Sequence, residues 1–166
     1  MRQRPTPDRA GPGQESVWDY PRPPRLEELA EAITIELGGE TIASTRRAWR
    51  VLETSHPPTY YLPRECFRDG ALRPAAGSSW CEWKGQATYF DIVSANKTAA
   101  RAAWTYENPT PGFTAIAGAI AVMAALVDRC TVNGEVVDPQ PGGFYGGWVT
   151  SWVVGPFKGV PGSMGW

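Results

Sequence analysis

The chain has 166 residues, 42% of them hydrophobic, which suits one domain with a core of its own. Lys and Arg number 16 against 17 Asp and Glu, so there is no basic excess of the kind that nucleic-acid binding requires. The longest apolar run, Ala115 to Val127, falls short of the ~20 residues of a membrane span, and the N-terminus lacks the order of a signal peptide. These features predict a cytoplasmic protein with neither nucleic-acid nor membrane partners.

Residues 1–16 hold Pro5, Pro7, Gly11, Pro12 and Gly13, with Arg2, Arg4 and Arg9 among them, and read as a flexible, disordered tail. A single β domain is expected over 17–166, beginning at Val17-Trp18-Asp19-Tyr20. Pro21, Pro23 and Pro24 force an extended segment, because proline fixes φ and restricts the residue before it. Leu26 to Ala32 reads as a short helical turn. Ile33, Ile35 and Leu37 alternate with Thr34 and Glu36, as a half-buried strand does. Gly38-Gly39 then turns into Glu40 to Ala43, since a tight hairpin turn needs φ > 0 twice.

Strands are expected at Trp49 to Glu53 and at Tyr60 to Leu62, separated by the His56-Pro57-Pro58 turn. Trp80 to Gly85 leads into a strand over Gln86 to Val93, and Ala99 to Tyr106 puts Trp104 and Tyr106 on one face if extended. Ala115 to Leu126 is compatible with a helix or a buried strand, and its β surroundings favour a strand within it. Asn133-Gly134 marks a second hairpin across Thr131 to Val137. Gly147 to Val154 reads as one late strand with Trp148 and Trp152 sharing a face. The pattern is mainly antiparallel β, a tent or barrel-like fold with short helical segments.

The chemistry-bearing residues lie in a few stretches. Cys81-Glu82-Trp83-Lys84, if extended, turns Cys81 and Trp83 away from Glu82 and Lys84, so Cys81 has no base from its own segment. Phe157-Lys158-Gly159 repeats the aromatic-Lys-Gly pattern and offers a partner cation for Lys84. Arg50 and Glu53 fit one buried network, in which desolvation would raise the carboxyl pKa and suit it to acid–base work. His56, the one histidine, reads as a turn residue. The three cysteines show no paired spacing, so free thiols are expected, with neither a metal nor a cofactor. Pro139 to Trp148 is glycine-rich yet lacks the endings of a phosphate loop, and its glycines read as tight turns and close backbone approaches. Eight tryptophans are a high count. With a few charged groups they suit an aromatic small-molecule cavity.

Several of these stretches together resemble the domain-of-unknown-function 427 family of bacteria and fungi. The carriers are Val17-Trp18-Asp19-Tyr20-Pro21, the run Arg50 to Pro63, Cys81 to Gly85 and Ala103-Trp104-Thr105-Tyr106. Pro139 to Gly142, Phe144 to Trp148 and Gly155 to Gly159 complete the set. The resemblance implies a fold similar to the β-tent proteins, some of which hold zinc on two C-x-x-C pairs that this chain lacks. It also draws attention to two departures. Cys66 stands where the family usually has Asp, and Ala121-Val122-Met123 where it commonly has Ala-Phe-Tyr.

The leading functional expectation is a small organic ligand in an aromatic cavity lined by Arg50, Tyr61, Lys84, Tyr89, Trp104 and Trp148, with Glu53 beside it. The alternative is a cofactor-independent enzyme in which Glu53 is the acid or base and Lys84 stabilises an anionic or carbonyl group, with Tyr61 or Tyr89 as proton donor. A protein-interaction module is the third reading if the aromatics lie on the surface.

Overall fold

The computed structural model describes residues 4–166. The chain runs β1 (Glu15–Ser16), β2 (Arg25–Leu29), β3 (Ile33–Leu37), β4 (Glu40–Thr45), β5 (Ala48–Leu52), β6 (Thr59–Tyr61), β7 (Leu72–Cys81) and β8 (Gly85–Val93). It continues with β9 (Thr98–Thr105), β10 (Ile120–Val122), β11 (Arg129–Val132), β12 (Glu135–Val136), β13 (Asp138–Pro139), β14 (Trp148–Val149) and β15 (Val153–Val154). Helical structure is confined to short 3-10 turns such as Val17–Asp19 and Pro111–Ile116. The protein is therefore mainly antiparallel β. Its sheets, β10-β9-β8-β7, β12-β11-β3-β4 and β2-β5-β6, with the pairs β13-β14 and β1-β15, stay open rather than closing into one barrel.

The alternation in β3 produces the fold as expected. Ile33, Ile35 and Leu37 are fully buried and enter the main core with Ile42, Leu62, Phe90, Ile92 and Trp148. Each such side chain contributes roughly 1.5–3 kcal/mol on leaving water. Both hairpins form. Gly38 and Gly39 have φ of 62° and 79°, and Asn133 and Gly134 have 50° and 81°, as a turn between twisted strands demands. The Ala115 to Leu126 segment contains β10, whose Ile120 and Val122 pair with Thr105 and Ala103 of β9.

Three expectations need correction. Leu26 to Ala32 holds no helical turn, because Arg25–Leu29 is β2 and pairs residue by residue with β5, Glu27 opposite Arg50. A non-local partner outweighs local propensity here. The Cys81 to Lys84 stretch is not extended throughout. Cys81 pairs with Gly85 and closes the β7–β8 hairpin, leaving Glu82, Trp83 and Lys84 as its loop. Gly147 to Val154 is not one strand, since a turn at Thr150–Trp152 separates β14 from β15; the Thr150 hydroxyl accepts from Trp152 N at 3.3 Å. The N-terminal segment expected as a flexible tail makes contacts with the rest of the chain from Asp8 onward. Asp8 N donates to Gly155 O at 2.7 Å, the Gln14 amide to Ser151 O at 2.9 Å, and β1 pairs in parallel with β15. Residues 1–3 of that tail lie outside the described residues.

Candidate functional site

The register of the β2-β5-β6 sheet sets Glu27, Arg50 and Tyr60 side by side across three strands. Alternation along β5 sends Arg50 to one face and Trp49 and Val51 to the other. The N-terminal segment then lays Glu15 over Arg50. Arg50 Nη1 donates to Glu15 Oε1 at 2.5 Å, and its Nε and Nη2 donate to Glu27 Oε1 at 3.0 and 2.6 Å. The Tyr20 hydroxyl donates to the same Glu15 oxygen at 2.7 Å.

Burial works against the charge on Arg50 and on Glu15. The contacts outweigh it, so the guanidinium pKa is raised and the carboxyl pKa lowered. Burial also pushes the Tyr60 phenol up to about 12. A cavity of about 220 Å³ opens beside this row. Glu15, Glu27, Glu31, Arg50, Tyr60 and Trp152 are among its walls, with Gln14 and Gly13 from the N-terminal segment.

A second constellation gathers the motif segments. Gln140, 3% exposed, donates from its amide nitrogen to Lys158 O at 2.9 Å, and its amide oxygen accepts from Gly147 N at 3.0 Å. Those two main-chain partners fix which end of the amide is which. The nitrogen's other proton therefore points at His56 Nδ1, 3.0 Å away. Nδ1 must accept, so the imidazole is neutral and carries its proton on Nε2, which faces Glu53 Oε2 at 3.5 Å. Burial, and then the charges of Lys158, Arg22 and Lys84, push the His56 pKa down to about 3. The Tyr145 ring meets His56 edge-on at 4.7 Å, and Lys158 Nζ lies 5.4 Å over Tyr145. Gly147 carries no side chain because a Cβ there would stand 2.4 Å from Pro57 O.

Lys84 projects from the β7–β8 loop, which Thr110 holds through its N–H to Lys84 O (3.1 Å) and its hydroxyl to Trp83 O (2.5 Å). The residue is 9% exposed, and its ammonium lies 5.7 Å from the Tyr106 ring and 5.9 Å from Phe113. Lys84 and Lys158 are both among the charges that lower the His56 pKa.

The other expected residues lie apart. Glu53 shares no network with Arg50; its Oε2 accepts from Arg22 Nε at 3.4 Å beside His56. Tyr61 is buried in a smaller apolar cluster with Tyr106, Phe113, Ala87 and Val51, against which Trp104 and Cys81 pack. Complete burial raises its phenol pKa. Trp104 is covered by the glycine-rich segment, where a Cβ on Gly146 would stand 2.1 Å from its ring. Trp148 stacks on Tyr60 at 4.9 Å and donates from Nε1 to Val122 O at 3.0 Å, inside the main core. Tyr89 shares a hydrogen bond with Ser79 at the β7–β8 surface, under the Arg101 guanidinium at 4.3 Å. Cys66 is a half-buried thiol whose pKa burial pushes up to about 12.

Sequence reasoning missed Glu15, Glu27, Tyr60 and Trp152 as cavity walls and His56 as the centre of the motif cluster. Nothing local could have brought Glu15 to Arg50.

No curated protein matches the chain. The family match takes in Arg50, Tyr60 and Lys84 and leaves Glu15, Gln140, Tyr145 and Lys158 to the flanking segments. The chain belongs to the family described as a domain of unknown function (DUF427), whose model matches residues 25–133.

Proposed function

We propose that the protein binds a small organic cation in the cavity beside Arg50. The observation that carries this reading is the cavity itself, about 220 Å³ with Glu15, Glu27 and Glu31 around a single guanidinium. Three carboxylates line the cavity, and with Arg50 among them and the Arg25 guanidinium 3.5 Å from Glu27 Oε2, one negative charge is left over. Arg50 already donates to Glu15 Oε1 and Glu27 Oε1, so an incoming ammonium would meet the remaining carboxylate lone pairs. Tyr60, Trp152 and Leu29 supply apolar and aromatic surface for the body of the ligand, and an aromatic face favours a cation. The volume is below the roughly 300–1,000 Å³ of sites for drug-sized molecules, which favours a compact amine.

The acid–base alternative draws less support. Glu53 Oε2 is engaged by Arg22, and neither Glu53 nor Lys84 borders this cavity. The free thiols Cys66, Cys81 and Cys130 support a reducing, cytoplasmic setting. No helix among the described residues is long and apolar enough to cross a membrane.

The test is a thermal-shift and NMR titration with compact primary and quaternary amines beside their neutral alcohol counterparts. Amines should stabilise the protein saturably and the alcohols should not. Leu29→Trp, which fills the cavity, should abolish the response. Equal responses to amines and alcohols, or an unaltered response in Leu29→Trp, would overturn the reading.

A further inference from the structure

The Lys84 ammonium is left over by everything above. Lys84 is as buried as Arg50, at 9% exposure each. Arg50 has two carboxylates. Among the described residues, no carboxylate lies within ion-pair distance of Lys84, and its ammonium makes no hydrogen bond. Its nearest partners are the faces of Tyr106 and Phe113. Taking an ammonium out of water without a counter-ion is costly, and two ring faces at nearly 6 Å offset little of that cost. No buried side-chain nitrogen or oxygen among the described residues is sealed off without a partner, so the ammonium keeps an opening to solvent.

The two other cations that act on His56 are engaged, since Lys158 Nζ and Arg22 Nη2 both donate to Trp166 O, at 3.4 and 3.0 Å. Lys158 and Arg22 add positive charge around His56, which is itself neutral and has both ring nitrogens turned to Gln140 and Glu53. Glu53, the nearby carboxylate, is held by Arg22.

We propose that Lys84 is the anchor of a second binding site, distinct from the Arg50 cavity and opposite in charge preference, that takes a small organic monocarboxylate. One ammonium with three unused N–H groups matches one carboxylate. The walls offered by Tyr106 and Phe113 are flat and apolar, which suits a planar organic body. A phosphate dianion would need several converging donors, and here the imidazole donor is already turned to Glu53.

The probes are benzoate, the neutral isostere benzamide and inorganic phosphate. The sequence has three lysines, Lys84, Lys97 and Lys158, and one histidine, so dimethyl-lysine and imidazole NMR signals can be assigned by elimination. Benzoate should move the Lys84 and His56 signals saturably while leaving Lys97 in place, and benzamide should not. Lys84→Met, which keeps the apolar stem, should weaken benzoate binding by about tenfold or more. The wild-type lysine signals decide the matter if that variant fails to fold. The proposal is overturned if benzamide binds as well as benzoate, if phosphate binds at Lys84 as tightly as benzoate, or if saturable binding leaves the Lys84 signal unmoved. Absence of any saturable benzoate binding overturns it too. Leu29→Trp should leave benzoate binding intact, so loss of the amine site and loss of this one are separately visible.

Discussion

Arg50 and Lys84 are two cations buried to the same degree, and the protein treats them in opposite ways. Arg50 sits in a cross-strand row and is neutralised by Glu15 and Glu27 through charged hydrogen bonds. Lys84 sits on a hairpin loop against ring faces with no counter-ion among the described residues. The first arrangement ties three chain segments together, namely the N-terminal segment, β2 and β5. The second ties nothing together and leaves charge available. A buried cation with its own carboxylates belongs to the fold's electrostatics, whereas one without them is a demand that a ligand can meet.

The comparison breaks if the two cations respond alike to removal. Arg50→Met should cost about 2–3 kcal/mol in urea denaturation. That is below the roughly 3–5 kcal/mol of broken buried pairs, because the side chains of Glu15 and Glu27 are 40% and 36% exposed and water takes up part of the loss. An Arg50→Met variant as stable as wild type would mean that the row of ion pairs contributes nothing.

The next effect concerns the cluster that both lysines influence. His56 has a folded-state pKa of about 3 against 6.5 as its ordinary value, so the unfolded chain binds the extra proton between those values. Stability should therefore be complete above pH 6.5 and fall as the pH drops toward 3, by about 1.4 kcal/mol per pH unit at most. His56→Gln should flatten that part of the profile. Glu15, with its pKa lowered, works in the same direction at lower pH. Its contribution is present above the ordinary carboxyl pKa and is lost as the pH falls through the folded value. An unchanged slope in His56→Gln would remove the buried neutral imidazole from the account.

The smallest effect is the sharpest. Lys84→Met should leave stability within about 1 kcal/mol of wild type, since the ammonium keeps an opening to solvent and makes no ion pair or hydrogen bond whose loss would cost stability. A loss as large as that of Arg50→Met would show that Lys84 has a structural partner after all and would erase the contrast. Equilibrium denaturation at pH 7.5, where His56 is neutral in both states, reads the difference cleanly.

Some of this was legible in the chain. The β3 alternation, the Gly38-Gly39 and Asn133-Gly134 turns and the strand inside Ala115 to Leu126 all follow from local pattern and turn chemistry. The motif residues Lys84 and Lys158 were recognisable as a pair of cations. Other features misled. Leu26 to Ala32 reads as a short helical turn, but Arg25–Leu29 pairs with β5, some twenty residues away. Trp148 and Trp104 were expected as ligand walls, yet one is locked into the main core by Tyr60 and the Val122 carbonyl, and the other lies under Gly146.

The sequence by itself determined the class of fold, because side-chain alternation and φ > 0 residues are local properties. It also determined the membership of a family whose motifs are contiguous stretches. Only the tertiary structure decided which charges meet. Glu15 reaches Arg50 because β1 docks in parallel on β15 at the far end of the chain, and Gln140 reaches His56 because Lys158 O and Gly147 N hold its amide. Those encounters depend on packing between segments more than eighty residues apart in the latter case. No local pattern encodes whether a cation will find its carboxylate or be left, like Lys84, without one.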